Sequence, residues 1–124
     1  MIVRRKVDVP RVEWGNGVSY RFLVAKDGIG FSIAHTVILA GTKSRIQYMR
    51  HKEACYCISG RGQVFMRGGV VHDIEPGCMY ALDQHEPHYL VAFPEADIEL
   101  VSVFMPALVG QERHDFSSGS FSSY

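Results

Sequence analysis

The run GTKSRIQYMRHKEACYCISG, residues 41–60, and the run EPGCMYALDQHEPHYL, residues 75–90, decide what kind of fold this chain makes. Short apolar stretches alternate here with glycine turns at Gly41, Gly60 and Gly77. Residues two apart on a strand share a face, so Glu53 points the same way as Cys55 and Cys57, and Tyr80 shares its face with Cys78 and Leu82. A carboxylate in line with two thiols and a phenol in line with a leucine belong to an interior that takes polar groups. Read singly, Glu53 is a strand-end surface carboxylate, Tyr80 a core tyrosine with its hydroxyl satisfied, and His88 a turn cap. Read together, they supply a carboxylate oxygen, a phenolate oxygen and an imidazole nitrogen from separate strands, a donor set that suits ferrous iron with positions left open for a substrate.

Outward from this core the same pattern continues. Strand-like runs cover Val18 to Ala25, Phe31 to Leu39, Ser44 to Met49, Ala54 to Ile58, Gly62 to Met66, Val70 to Ile74, Cys78 to Leu82, His88 to Ala92 and Ile98 to Met105. Asp27-Gly28, Ser59-Gly60, Arg67-Gly68-Gly69 and Glu75-Pro76-Gly77 punctuate them. Many short strands without helical crossovers predict an all-β, antiparallel sandwich or barrel. Its length of 124 residues suits one domain: residues 1–113 are expected to form the barrel and 114–124 a small, polar, flexible tail able to act as an active-site lid. Thirteen basic residues balance thirteen acidic ones, so no net field draws the chain to nucleic acid or a membrane. No apolar run approaches the ~18 residues of a membrane helix, and no signal-peptide core follows Met1, which makes a cytoplasmic protein the expectation. The three cysteines cannot all pair within one chain and are read as reduced core thiols, with a thiolate metal site as the alternative.

The glycine, glutamate and histidine spacing resembles the two motifs of the cupins, and so implies their single-domain antiparallel jelly-roll barrel. The first motif runs from a glycine through His-x-His, a gap of three or four residues and a glutamate to a second glycine. Gly41, Glu53 and Gly60 fall on it, and Gly77 and His88 on the second motif. With Gly41 as origin, the His-x-His positions hold Gln47 and Met49, poor ligands for a hard or borderline metal. Either the barrel holds no metal, or its metal uses other groups. Tyr48 then faces away from the interior unless a bulge turns it.

The longer pattern is similar to the ectoine synthases, which close N-γ-acetyl-2,4-diaminobutyrate into the cyclic solute ectoine with loss of water. The resemblance runs through Met1-Ile-Val-Arg4, Lys26-Asp27, Gly30-Phe31-Ser32, Thr36, Tyr48, His51-x-Glu53-Ala54, Pro76-Gly77-x-x-Tyr80-Ala81-Leu82-Asp83-x-His85-x-x-His88, Val103-Phe104, Gly110-x-Glu112 and His114-Asp115. It implies a hydro-lyase with ferrous iron, or another divalent metal, on Glu53, Tyr80 and His88. It implies substrate contacts from Arg21, Thr36, Ser102 and Phe104, and catalytic roles for Tyr48, Glu112 and His114. In that reading Arg21 clamps the substrate carboxylate, Glu112 holds the α-ammonium or takes its proton, and His114 donates a proton to the departing oxygen.

Departures from the family pattern concentrate at the pocket. The tryptophan expected four residues before Arg21 is Gly17, with Trp14 nearby. Ser102 replaces a cysteine, Met105 an asparagine and Phe116 an acidic residue, and a histidine has moved by one to His35, onto the other face. A relative with a different amino acid derivative as substrate, or a non-catalytic binding barrel, is the alternative. His51, His72 and His85 are expected to be solvated turn residues. A homodimer is expected, because a small barrel leaves an apolar sheet edge to cover.

Overall fold

The computed structural model describes residues 1–116 and 121–124. Every expected strand is present, and two short ones are added: β1 (Arg11–Glu13), β2 (Gly17–Leu23), β3 (Ser32–Ile38), β4 (Lys43–Gln47), β5 (Lys52–Ser59), β6 (Gly62–Met66), β7 (Val71–Ile74), β8 (Met79–Leu82), β9 (His88–Ala92), β10 (Ile98–Met105) and β11 (Ser122–Ser123). Strands β1 and β11, three and two residues long, are too short for alternation to announce. Strand β2 stops at Leu23, and Ala25, expected to end that strand, instead opens a 3-10 turn over Ala25–Asp27, closed by Gly28 at φ 73°, a conformation that favours glycine. No helix among the described residues is long and apolar enough to cross a membrane.

The strands make two facing sheets, β1-β2-β3-β10-β5-β8 and β11-β4-β9-β6-β7. All pairings are antiparallel except β11 with β4. Register grades the interior from apolar to polar. At one end Ile98 pairs with Ile38, near Cys57 opposite Leu100; at the other Phe104 lies between Ser32 and Glu53. Ile38, Ile98, Leu100 and Cys57 are all but sealed from solvent and make the floor. Arg21, Ser32, Glu53, Ser102 and His88, equally buried, make a polar upper half. Burial of this many polar groups costs free energy unless each finds a partner, so the upper half is where function is to be sought.

Two expectations about facing are corrected. On β4 Ser44 and Ile46 are buried and Tyr48 follows them inward, whereas Met49 is 55% exposed. The even-numbered face is therefore the interior one. Counted back from Glu53 with the four-residue gap that the motif allows, its two ligand positions fall on Ile46 and Tyr48, not on Gln47 and Met49. No bulge is needed. His51 is not a solvated turn residue either: it is buried, its Nδ1 lies 2.8 Å from the Pro106 carbonyl oxygen, and its ring meets Phe104 edge-on. His72 and His85 are exposed as expected, and His35 points outward to Glu99 at 3.0 Å.

Candidate active site

The polar upper half encloses a cavity of about 20 Å³. Eight of the ten residues singled out from sequence line it: Thr36, Tyr48, Glu53, Tyr80, His88, Ser102, Phe104 and His114. Each arrives by strand geometry. Strand β5 brings Glu53 and Cys55 inward, and β8 sets Tyr80 directly across from Cys55. Strand β9 brings His88, and the β3–β10 ladder sets Thr36 one strand from Ser102, their hydroxyls 2.9 Å apart. Cys55 Sγ completes this polar row, 3.5 Å from Ser102 Oγ. All three cysteines are free.

His88 is the most informative side chain. It is fully buried, its Nδ1 meets the Glu86 carbonyl at 3.0 Å, and its Nε2 has no hydrogen-bond partner. A carbonyl can only accept, so the proton sits on Nδ1 and Nε2 presents a bare lone pair to the cavity, the state a metal ligand needs. Burial holds this imidazole below its ordinary pKa, which keeps the lone pair free. Burial also pushes the Glu53 carboxyl up to about 8, against hydrogen bonds with Cys55 and Tyr48 that pull it down. The Tyr80 phenol is raised well above its ordinary value for the same reason, the nearby Cys55 and Glu53 charges adding to it. The His88 nitrogen is left without a protein partner, and with the buried carboxyl and phenol beside it makes a donor set that suits a divalent cation.

Tyr48 and His114 form a second pair that adjoins the first, the Tyr48 ring 6.2 Å from that of His88. Tyr48 Oη lies 3.0 Å from His114 Nε2, and His114 Nδ1 lies 3.0 Å from Ser122 Oγ. Burial pushes His114 down to about 3, the neighbouring His88 and Arg21 charges acting in the same direction, and pushes Tyr48 well above 10. Both are neutral near pH 7. His85 holds Tyr48 from outside: in left-handed backbone, φ 57°, its Nδ1 reaches the Tyr48 carbonyl at 2.9 Å.

Arg21 and Glu112 do not line the cavity but stand beside it. Arg21 is buried; its Nε donates to Ser19 Oγ at 3.2 Å, whereas Nη1 lies 3.6 Å from Glu112 Oε1 and has no hydrogen-bond partner. Glu112 is fixed by accepting the N–H groups of Val109 and Gly110 at 2.7 and 2.8 Å. Burial pushes its carboxyl up, but those amides together with the Arg21 charge bring it below the ordinary value.

Residues not singled out for the site complete the walls: Ser19, Cys55, Tyr124 and Trp14. Trp14 sits in the β1–β2 turn, closed by its N–H on the Gly17 carbonyl at 3.1 Å. Its indole is 6% exposed and meets His114 edge-on, centroids 5.4 Å apart. It lies over Gly17, where a Cβ would come within 2.6 Å of Cζ2. The glycine and the nearby tryptophan are thus one feature: the indole reaches the pocket from three residues earlier, through the space that the missing side chain leaves. Tyr124, beyond β11, stacks near His114 and Tyr48 at 4.6 and 5.1 Å between centroids. Described residues of the expected tail, Ser122 and Tyr124, thus sit against the cavity residues His114 and Tyr48.

The chain is similar to known proteins along nearly its whole length. The family model "Ectoine synthase" matches residues 1–124. The L-ectoine synthase of Wolinella succinogenes is 47% identical over 122 residues, 93% of this chain and 92% of the relative. A crystal structure of ectoine synthase from P. lautus superposes with a TM-score of 0.83 at 43% identity, covering 89% of this chain and 81% of that one. The polyketide cyclase RemF from Streptomyces resistomycificus, at 16% identity and TM-score 0.72 over 85% of this chain and 79% of its own, shares the barrel alone. With the family model matching end to end, this chain belongs to the ectoine synthase family.

Proposed function

We propose that the chain closes N-γ-acetyl-2,4-diaminobutyrate into ectoine in this cavity, by attack of the α-amine on the acetamide carbonyl and loss of its oxygen as water. The observation that carries the reading is the pairing of a cation-ready donor set, Glu53, Tyr80 and His88, with the adjoining Tyr48–His114 couple. The first three would hold a divalent metal, ferrous iron by their mixed oxygen and nitrogen donors, and when bound there it supplies Lewis-acid polarisation of a carbonyl. The Tyr48 hydroxyl is the group placed to give a proton to the departing oxygen. His114 stands behind it neutral, with no imidazolium proton to give; its Nε2–H on the Tyr48 oxygen, with Nδ1 accepting from the Ser122 hydroxyl, is the tautomer that leaves the Tyr48 proton free for the substrate. Arg21, with one Nη unpartnered, offers the substrate carboxylate a charge-assisted bond. Glu112 beside it, ionised at neutral pH, takes the α-ammonium or its proton. Thr36 and Ser102 supply hydroxyls, and Phe104 and Trp14 the apolar walls.

A cavity of about 20 Å³ holds about one water, so substrate entry requires part of the wall to move. The segment carrying Tyr124 is that part, held to β4 by only two strand residues, and its return excludes water from the condensation. The Trp14–Gly17 exchange favours the family substrate over a drifted one, because it restores the aromatic wall that Gly17 alone would remove. A homodimer and a cytoplasmic setting complete the proposal. The first is supported by the outward apolar row Tyr56, Ile58, Met79 and Met105, 45–61% exposed, and the second by three free thiols. Incubating protein purified anaerobically with N-γ-acetyl-2,4-diaminobutyrate, and following ring formation by NMR, tests the reaction. Iron-loaded, folded protein that makes no ectoine would refute it.

A further inference from the structure

We propose that Ser122 is a positioning residue of this active site, whose hydroxyl holds Nδ1 of His114 and thereby keeps Nε2 turned onto the Tyr48 hydroxyl. The inference rests on the Tyr48–His114 couple having the role given above. His114 is packed on all sides by rings: Tyr124 at 4.6 Å, Trp14 and Tyr48 at 5.4 Å and Phe116 at 5.9 Å between centroids. Such packing fixes the plane of an imidazole but not which edge carries the nitrogens. A half-turn about the Cβ–Cγ bond exchanges nitrogen for C–H while the outline hardly changes. In the turned state Tyr48 would meet a C–H group and lose its partner.

Only hydrogen bonds tell the two states apart, and the ring makes one at each nitrogen: Tyr48 Oη to Nε2 and Ser122 Oγ to Nδ1, both 3.0 Å. Ser122 is itself fixed. It is 5% exposed, its Oγ accepts the Asp115 N–H at 2.8 Å, and its backbone pairs with Ile46 of β4, two residues before Tyr48, which follows just beyond the end of that strand. Strand β4 thus sets Ser122 in place, and Ser122 in turn holds His114, next to where the chain leaves β4 for Tyr48. The hydroxyl matters more than the residue's shape, so threonine should replace serine and alanine should not.

The test compares wild type, Ser122→Ala and Ser122→Thr as full chains. With iron loaded, Ser122→Ala should lower kcat about tenfold, about 1.4 kcal/mol, with KM within twofold of wild type, and Ser122→Thr should recover most of it. Without added iron, which keeps the spectrum sharp, the side-chain 15N resonances of His114 should show one fixed tautomer in wild type and Ser122→Thr, and averaging in Ser122→Ala. Wild-type kcat in Ser122→Ala, an unchanged His114 spectrum, or a loss that Ser122→Thr does not recover would each overturn the proposal. Wild-type protein that makes no ectoine would refute the assigned reaction, and the His114 spectra would still decide the placement of Ser122.

Discussion

Replacing Trp14 by alanine probes whether the pocket wall has been relocated or lost. The indole is 6% exposed, caps Gly17 and meets His114 and Phe116 at 5.4 and 6.2 Å. A buried aromatic of about 150–250 Å² at about 25 cal/mol per Å² gives an upper bound of about 4–6 kcal/mol for its removal. The β1–β2 turn can close over part of the gap, so about 3 kcal/mol of stability is the expected loss, at the low end for tryptophan truncations. Only the edge facing the cavity reaches substrate, and its share is about 1–3 kcal/mol of transition-state binding. At about 1.4 kcal/mol per decade, KM should rise roughly tenfold or more. Steady-state kinetics on N-γ-acetyl-2,4-diaminobutyrate reads this, together with intrinsic fluorescence: Trp14 is the chain's one tryptophan, so any change of indole emission on adding substrate reports this site. Gly17→Ala is the less clean probe, since its Cβ would also press within 2.1 Å of the Val37 carbonyl oxygen and disturb β3. Wild-type KM in Trp14→Ala, with silent fluorescence in the parent, would show that the indole is a structural plug and no wall of the substrate site.

Three further outcomes are expected. Alanine at Glu53, Tyr80 or His88 should strip most of the iron measured by elemental analysis while leaving the β-sheet circular dichroism nearly unchanged; full occupancy in Tyr80→Phe would remove Tyr80 from the ligand set and turn suspicion on Cys55. Amides after Leu108 should gain hydrogen-exchange protection when substrate binds, and a chain ending at Gly110 that kept full activity would show that Glu112, His114 and the segment beyond contribute nothing. Arg4 grips Asp27 through both guanidinium nitrogens at 2.9 and 2.7 Å, and with the Val24 N–H holds its carboxyl at about 2. Because this pKa is depressed on folding, the pair's contribution is present above the unfolded value of about 3.9 and is lost as pH falls through about 2. NMR titration of Arg4→Ala should therefore find Asp27 returned toward the ordinary carboxylate range, and an unmoved midpoint would refute the assignment.

The strands were legible because their period is two and most have one face in the core: Glu53, Cys55 and Cys57 alternate with exposed or half-buried neighbours as written. Alternation together with the cupin spacing is what pointed to Glu53, Tyr80 and His88 as donors. Strand β4 misled, because the choice of Gly41 as origin fixed a count whose gap has two allowed lengths. A one-residue slip in a strand exchanges its faces completely, and here it hid Tyr48. His51 misled for another reason: a histidine beside Arg50 and Lys52 reads as solvated, yet its Nδ1 has a carbonyl partner 55 residues away, which no local pattern carries. Trp14, Ser122 and Tyr124 lie on turns and short segments, where position in the sequence does not fix direction in space.

These unread residues share a physical logic. A jelly-roll barrel fixes its strand-borne groups by register, because moving one of them by a residue turns it out of the interior. Groups supplied from turns and the tail are under no such constraint; what the pocket requires of them is a ring or a hydroxyl at a place, from whichever residue can reach it. Gly17 and Trp14 show the consequence. A substitution that looks like loss at one position is matched by a gain three residues earlier, and the pair makes sense only together, since the indole needs the space that the glycine leaves open. The same reasoning sets the order in which such a site tolerates change: Glu53, Tyr80 and His88 are bound to their strands, whereas the covering wall of Trp14, Ser122 and Tyr124 can be rebuilt from other residues provided that His114 keeps its partners.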